Sequence, residues 1–545
     1  MLPDSTTISL LFPEIILIAM ATFIFLAGAF RPHPTWWPTL GVITYVATLF
    51  AALLGIEWPL WEKLVTQGVV ASGPLSLDYL GQVLRPLVLI LGILLSLVMS
   101  RSAPKGLASE HAGTLMLSIA GLMIAARAND LVLLFVGLEL ISIPTYVLLF
   151  LGRRDRASGE ATVKYFFLSL LSSGLLLYGF SFLYGMAGTT TLSGSAAELG
   201  IREVVAGLRG AATEGPSLWA FAPIAVILIF AGLGFKLTAV PFHFYAPDVY
   251  QGTTPGNAAL LAVLPKVAGI AAMVRLLVAV FPSYSVAWQL AAIVSILTMT
   301  LGNISALWQK NVRRLLAYSS IAHSGYLLIG IAVSLAAEND ALRAEGLSAT
   351  LFYLAAYAVA SIGAFAALTY LGESGKSIEG IDQLAGLGKQ HPLCAGTLAV
   401  SMFSFAGIPI FAGFWGKFAL FSSSLDLATN VAAGPMRAWF LTLAIVGAVN
   451  AAIGAAYYLR IVAAMFFQAP SSSAAPSGSV GPLAAMVTCA LLAVGIGAAP
   501  KLAFRGAGWA GQSVSAVSRP TVVDRSAVHV RPDKQAQSDV KSDAL

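Results

Sequence analysis

The sequence predicts an all-α polytopic membrane protein with about fourteen transmembrane helices. Of its residues, 58% are hydrophobic and only 10% are charged, and the mean hydropathy is +0.84. Soluble globular proteins carry charge on roughly a quarter of their residues. The apolar stretches also reach the length of about 20 residues that a helix needs to cross a bilayer. The chain is therefore expected to lie in a membrane and to cross it many times.

The apolar stretches place the expected spans along the chain. The first stretch is expected to stay as a spanning helix, because it is too long for a signal peptide and no lysine or arginine precedes it. The short fourth stretch and the long twelfth and thirteenth stretches leave the count open by about one or two. The spans are expected near residues 10–30, 36–56, 79–100, 111–126, 129–151, 160–185, 218–240, 257–281, 284–307, 312–335, 347–371, 392–424, 436–467 and 480–500.

Lysine and arginine are divided unevenly between alternate loops. One set of loops, which includes Arg153 and Arg313, holds eleven of them, and the other set holds six. Basic residues are enriched in cytoplasmic loops, so the N-terminus is expected on the periplasmic side of a bacterial inner membrane. An even number of spans would place the basic tail on that side too. A basic tail on the periplasmic side conflicts with this rule, but long tails follow the rule only weakly.

Polar stretches are expected in three places outside the spans. The segment from Pro470 to Val480 and the tail from Ser513 onwards have the composition of disordered chain. The loop from Gly185 to Ser217 is expected to be a surface excursion. None of the three has the character of a catalytic domain.

Two classes of function are excluded by composition. Cys394 and Cys489 are the only cysteines, both lie in expected spans, and they cannot assemble an iron–sulfur or zinc site between them. The chain is therefore expected to hold no zinc ion and no iron–sulfur cluster, and any redox chemistry is expected to belong to other subunits. The net charge is +6, but the basic residues are scattered and form no stripe, which excludes a nucleic-acid partner.

A lysine lies beside a proline in the seventh and in the twelfth expected spans. Pro241 lacks an amide hydrogen, so it leaves the carbonyl of Leu237 free next to Lys236. Pro409 frees the carbonyl of Phe405 ahead of Lys417 in the same way. A charge and a free carbonyl inside a membrane must be satisfied by water or protein, and a hydrated helix break is what a proton path needs.

Glu139 and Lys164 lie in the apolar stretches of successive spans. A buried carboxylate and ammonium can pair, and each then controls the proton affinity of the other. Making and breaking such a pair would switch the lysine between holding and releasing a proton. Alternatively the pair only joins two helices, or Lys164 extends to the membrane edge near Arg153.

Ionisable and polar side chains also lie between the two broken spans. Lys266 adjoins Pro265, and Ser319, His323 and Tyr326 share one face of a helix. These groups are expected to carry protons between Lys236 and Lys417, although polar stripes also join helices. Ser319 and Tyr326 are candidates of second rank, and so is His243, which lies in the seventh-span break.

Two broken helices in corresponding places indicate inverted repeats. An odd number of helices in each repeat inverts the second repeat relative to the first. The expected organisation is three helices in 1–110, a first five-helix repeat in 111–283, a second in 284–468, a linker and last helix in 469–505, and a polar disordered tail in 506–545.

Four motifs resemble those of the antiporter-like subunits of respiratory complex I, above all subunit N. They are VGLELISIPTYVLLF, KLTAVPFHFYAPDVYQGTTP, RRLLAYSSIAHSGYLL and GIPIFAGFWGKF, in the order and spacing of that family. The PDVYQG segment is similar to subunit N rather than to subunits L and M. Lysine at position 417 fits subunits N and L, whereas subunit M usually carries glutamate there.

The resemblance implies a proton-translocating subunit of an NADH:quinone oxidoreductase. It implies a relay of Glu139, Lys236, Lys266, His323 and Lys417, with Lys164 as the lysine paired with the glutamate. FMN, iron–sulfur clusters, NADH and quinone would belong to partner subunits, so the chain alone would have no redox centre. Other membrane subunits and, through them, the redox arm would be its partners.

Two rival readings remain. A subunit of a multisubunit Na⁺/H⁺ antiporter would use nearly the same fold and lysines, and fold alone does not exclude it. A solute permease of the major facilitator type would have about twelve helices in two six-helix halves with a cytoplasmic central loop, and the broken helices with lysines and the absence of that loop argue against it. A purely structural scaffold would have little need for ionisable residues in mid-membrane.

Overall fold

The computed structural model describes most of the chain. The segment expected to be disordered between 470 and 480 lies largely outside the described residues, as does the tail after 517. The described residues are 5–31, 36–54, 70–100, 106–153, 155–194, 198–211, 217–372, 378–431, 434–470, 476 and 478–517.

Helices form almost all of the described structure, as the composition predicts. Twelve helical segments within the described ranges are long and apolar enough to cross a membrane, and two shorter apolar helices lie among them. The elements are α1 (Ser5–Phe30), α2 (Trp37–Leu54), β1 (Val70–Ser72), β2 (Leu75–Leu77), α3 (Tyr79–Met99), α4 (Ala108–Arg127), α5 (Leu131–Gly152), α6 (Arg156–Ala187), α7 (Ile201–Ala211), α8 (Ala222–Lys236), α9 (Ala246–Gly252), α10 (Pro255–Met273), α11 (Ser285–Leu307), α12 (Val312–Ala336), α13 (Asp340–Tyr370), α14 (Pro392–Ala406), α15 (Ala412–Asn430), α16 (Pro435–Phe467), α17 (Val480–Ala498) and α18 (Pro500–Val517).

Side-chain caps fix where several helices begin. Asp130 accepts hydrogen bonds from the amides of Val132 and Leu133 at the start of α5. Asn311 does the same for the first amides of α12, and Thr254 caps α10. Such caps satisfy amides that have no partner within the helix.

The three helices α10, α12 and α13 form the centre of the bundle. Nearly every residue of the three is buried, whereas α1, α6 and α16 each leave much of their surface exposed. A short π-helical segment, Val274–Val278, follows α10. Its Arg275 forms a buried, bidentate pair with Asp78 and so anchors this end of the bundle.

Both predicted helix breaks are present. The seventh span ends at Lys236, and Thr238 follows with a φ of 56°. The twelfth span divides into α14 and α15, with Gly407 at a φ of 82° just after α14. Glycine adopts this left-handed conformation without the steric penalty that a side chain would bring. Proline follows each break, where its missing amide hydrogen ends the helical hydrogen-bond pattern.

The structure shows helix in two places where the sequence did not predict it. The loop between Gly185 and Ser217, which was expected to be a surface excursion, contains the helix α7. The tail predicted to be disordered from residue 506 is helical as far as Val517. Helix α18 packs on α13, where Phe504 stacks on Phe352 with ring centroids 4.0 Å apart. Composition could not reveal this contact, because Phe352 is distant in the sequence.

Candidate functional site

Glu139 and Lys236 lie near each other, and each contacts a serine hydroxyl. The Glu139 carboxylate accepts a hydrogen bond of 2.5 Å from the hydroxyl of Ser173 on α6. Lys236 is 4% exposed, and its Nζ donates to the hydroxyl of Ser142 at 2.8 Å. Ser142 lies three residues after Glu139, on the same side of the helix. The ammonium and the carboxylate interact electrostatically without forming a direct ion pair.

Lys164 is not paired with Glu139, so that prediction is wrong. Its Nζ lies 2.8 Å from a carboxylate oxygen of Asp248 and 2.7 Å from one of Glu160, and its side chain is 39% exposed. Lys164 precedes Ser173 by nine residues, which separates them by about 13 Å along α6. The residue of α6 that hydrogen-bonds Glu139 is Ser173. The alternative reading, in which Lys164 extends to the polar end of the bundle, is correct.

Asp248 joins three helices at that polar end. It accepts hydrogen bonds from Lys164 on α6 and from Arg314 on α12, at 2.8 and 2.6 Å. Partial burial raises the pKa of the Asp248 carboxyl, but these two hydrogen bonds outweigh burial and hold the pKa below its usual value. A polar cavity of about 250 Å³ lies beside Lys164 and Asp248. These groups form a fixed network at the edge of the membrane.

Lys266 lies fully buried on α10, beside the break in the seventh span. Its Nζ donates to the hydroxyl of Thr238 at 3.0 Å. The Thr238 hydroxyl in turn donates to the carbonyl of Leu237 at 2.5 Å, which is the carbonyl that Pro241 was predicted to free. The break therefore supplies the polar contact of Lys266. Gly269, one turn further along α10, lets the helix pack closely against the side chain of Leu237.

Lys417 repeats this arrangement in the second half of the chain. Its Nζ donates at 2.7 Å to the carbonyl of Phe405, as predicted from Pro409. The ammonium also lies 4.9 Å from the ring centroid of Tyr326. Lys417 is 5% exposed. In the described part of the chain, Lys236, Lys266 and Lys417 all lack a carboxylate within salt-bridge distance.

His323 has a tyrosine hydroxyl on each ring nitrogen. Its Nδ1 lies 2.5 Å from the hydroxyl of Tyr353, and its Nε2 lies 2.9 Å from the hydroxyl of Tyr458. All three residues are buried. A neutral imidazole donates from one nitrogen and accepts at the other, so a proton arriving on one side allows another to leave from the opposite side.

Ser319 and Tyr326 belong to the same hydrogen-bonded network as His323. Ser319 shares a 2.5 Å hydrogen bond with Tyr458, and Tyr457 donates to Tyr458 at 3.1 Å. Tyr457 also bonds Asn303, which donates to the hydroxyl of Tyr326 at 3.3 Å. Because Lys417 lies over the Tyr326 ring, the network extends from His323 to the second helix break.

A second set of hydroxyls lies between Lys266 and the His323 helix. The Ser320 hydroxyl hydrogen-bonds Tyr357 at 2.8 Å and Tyr250 at 3.2 Å. Lys266 Nζ lies 5.9 Å from the centroid of the Tyr357 ring. Polar groups thus continue from the first helix break to the neighbourhood of His323.

Sequence reasoning found Tyr326 but missed the groups from α11, α13 and α16, namely Asn303, Tyr353, Tyr357, Tyr457 and Tyr458. Tyr353 and Tyr357 lie four residues apart on α13, and this spacing was the available signal. His243, a candidate of second rank, lies apart from the network. It is half-buried, and its Nδ1 has no hydrogen-bond partner among the described residues.

Comparison with known proteins places these features in a family. Residues 128–449 match the family model described as NADH:quinone oxidoreductase/Mrp antiporter, TM. The chain is 36% identical over 486 residues to the NADH-quinone oxidoreductase subunit N of Rhodospirillum rubrum, covering 88% of this chain and 92% of that one.

Solved structures agree with the sequence relatives. A chain of respiratory complex I from Thermus thermophilus is 28% identical, with a TM-score of 0.72, and the match covers 90% of this chain and 98% of that one. A chain of the Mrp complex from Dietzia has a TM-score of 0.75 at 21% identity, covering 94% of this chain and 98% of that one. The second likeness shows the fold alone.

Proposed function

This chain belongs to the family of NADH-quinone oxidoreductase subunit N proteins, and we propose that it translocates protons through Glu139, Lys236, Lys266, His323 and Lys417. It is a multi-pass membrane subunit of a translocase and associates with the other membrane subunits. The observation that carries the proposed path is the repeated arrangement of a buried lysine beside a helix break. Buried ionisable residues and broken helices in a membrane protein mark ion pathways.

The first half of the path begins at Glu139 and Lys236. A carboxylate stabilises a nearby ammonium, whereas removal from water destabilises it. A change in the charge or position of Glu139 therefore changes how readily Lys236 holds its proton. Ser142 contacts the ammonium directly and provides the first hydrogen-bonding partner for a leaving proton.

The connection runs from Lys266 to Lys417. Thr238 and Leu237 give Lys266 a polar contact at the first break, and Phe405 gives Lys417 one at the second. His323 lies between them with hydroxyls on both ring nitrogens. Water molecules would carry the proton between groups of this path that do not hydrogen-bond each other directly.

Electron transfer takes place in the partner subunits in this proposal. FMN, iron–sulfur clusters, NADH and quinone are placed there, and redox energy reaches this chain through conformational and electrostatic coupling along the membrane arm. The N-terminus is placed on the periplasmic side of a bacterial inner membrane, from the distribution of basic loops.

Copurification tests the assignment to this translocase. A tagged form of the chain, extracted in mild detergent, is expected to bring with it flavin, iron–sulfur signals and NADH-dependent quinone reduction. A stable assembly that lacks redox centres and exchanges Na⁺ for protons would contradict the proposal and favour the antiporter reading.

Replacing Lys164 with alanine is expected to have a small effect. Lys164 is partly exposed and belongs to a surface network, where an ion pair contributes about 1 kcal/mol or less. We expect redox-driven proton pumping in membrane vesicles to stay close to that of the unmodified complex. Loss of pumping in an assembled Lys164→Ala complex would place this lysine on the path after all.

Replacing Tyr458 with phenylalanine is expected to slow pumping by about fivefold, because one hydrogen bond contributes about 1 kcal/mol. The change removes the hydroxyl that joins His323, Ser319 and Tyr457 while keeping the ring. The measurement is the initial rate of NADH-driven vesicle acidification. Tyr178→Phe is the matched control, because that tyrosine is 58% exposed and should not matter. Equal rates in the two variants would remove the tyrosine network from the path.

A further inference from the structure

A large cavity lies between α13, α15 and α18, away from the proton path. Its volume is about 1300 Å³, and apolar side chains form most of its wall, among them Trp415, Phe418 and Phe504. Phe418 is 56% exposed, so the cavity continues into the outer apolar surface of the bundle. Lys417 points the other way from α15, towards the interior. The cavity is therefore a lateral site on the outer apolar surface of the bundle.

Positive charges lie on one wall of the cavity. Lys501 and Arg505 are four residues apart on α18 and so share one face of that helix. Both side chains are exposed, and within the described ranges neither forms an ion pair with a carboxylate. Two free cations beside an apolar cavity in a membrane protein suit the phosphate of a lipid head group.

Negative charge lies on the α13 side of the cavity. Glu345 on α13 lines the cavity, and its carboxyl interacts with that of Asp426 on α15. Asp426 also accepts a 3.2 Å hydrogen bond from Ser422, which lines the cavity too. Two carboxylates this close repel each other when both are ionised, and a cation between them relieves the repulsion. An organic ammonium can donate hydrogen bonds to both carboxylates.

We propose that this cavity binds a zwitterionic phospholipid whose head group carries a primary ammonium, as in phosphatidylethanolamine. Arg505 and Lys501 donate charge-assisted hydrogen bonds to the phosphate. The ammonium has three hydrogens to donate to Glu345 and Asp426. The acyl chains lie against Trp415, Phe418 and Phe504. The lipid thereby joins α18 to α13 and α15.

Both the charges beside the cavity and its depth in the membrane favour this lipid. A purely anionic lipid would leave the carboxylate pair without a cation. A choline head group has no hydrogen to donate to the carboxylates, although it carries the same charge. The head group is also at the right depth, because Glu345 lies near the first turn of α13, at the end of a span. The proposal does not depend on proton translocation.

Lipid binding to the assembled complex tests the proposal. The complex is washed with detergent and equilibrated with phosphatidylethanolamine or with phosphatidylcholine of the same acyl chains, and bound lipid is counted by native mass spectrometry. A photoreactive acyl chain on each lipid then maps the contact. We expect phosphatidylethanolamine to bind about tenfold more tightly and to label the segments around Phe418 and Phe504.

Two double variants test the basic and the acidic residues of the cavity separately. The double variant Lys501→Gln/Arg505→Gln is expected to weaken phosphatidylethanolamine binding by about tenfold. Glu345→Gln/Asp426→Asn is expected to remove the preference for phosphatidylethanolamine over phosphatidylcholine. Lys389→Gln, a change at another exposed lysine, is the control and should alter neither.

Three results would overturn the proposal. The first is equal binding of both lipids to the unmodified complex. The second is binding of phosphatidylglycerol as tight as that of phosphatidylethanolamine and insensitive to Glu345 and Asp426, which would mean recognition of the phosphate alone. The third is lipid labelling confined to helices other than α13, α15 and α18.

Discussion

Replacing Lys236 with alanine is expected to slow proton transfer through this chain by about a hundredfold, the usual effect of losing a group that exchanges protons directly. Lys236 is buried, contacts Ser142 and lies near Glu139 at the first helix break. Alanine provides neither the charge nor the exchangeable proton. The measurement is NADH-driven proton pumping in vesicles, normalised to NADH oxidation and to flavin content. Lys164→Ala is the control, because it removes a lysine from the polar end of the same repeat.

An arginine at this position distinguishes proton exchange from charge pairing. Arginine keeps the positive charge near Glu139, but it does not release its proton in proteins. Lys236→Arg is therefore expected to assemble normally and to pump as poorly as the alanine variant. If arginine restored pumping, the role of Lys236 would be to hold α5 and α8 together.

Replacing Lys417 with methionine is expected to block the second half of the path to a similar extent, about a hundredfold. Methionine has nearly the volume of lysine, so packing against Tyr326 is largely kept. It cannot donate to the Phe405 carbonyl or carry a proton. The same vesicle measurement applies, with the assembled complex confirmed by its flavin and iron–sulfur content.

A glutamate at position 417, compared with the methionine variant, tests whether proton exchange is what this position provides. Glutamate can carry a proton, and in its protonated form it can donate to the Phe405 carbonyl. Lys417→Glu is expected to retain more pumping than Lys417→Met. Equal loss in both would show that the ammonium itself, and not proton exchange, is needed at the second break.

Local signals predicted the two helix breaks and the polar contacts at them. Pro409 removes a hydrogen bond from a known carbonyl, and Lys417 is within reach of that carbonyl in the next helix. Both facts depend on residues close together in the sequence. The burial of Lys236, Lys266 and Lys417 followed in the same way from the apolar residues around them.

Contacts between distant helices could not be predicted. Lys164 finds Asp248 rather than Glu139 because α9 turns back onto α6 after the seventh-span break. Tyr458 reaches His323 from a helix more than a hundred residues away. Helix α18 lies in a polar stretch whose fold is decided by packing on α13, which composition alone does not show.

The proton-to-electron ratio of the double variant Lys236→Ala/Lys417→Met tests most directly whether both lysines belong to one path. Sites that act in series on one path are not additive, because the first block already stops the protons that the second would stop. We therefore expect the ratio to fall by the same amount in the double variant as in either single variant. A double variant that loses the sum of the two single losses would show two independent paths and contradict the relay from Lys236 to Lys417.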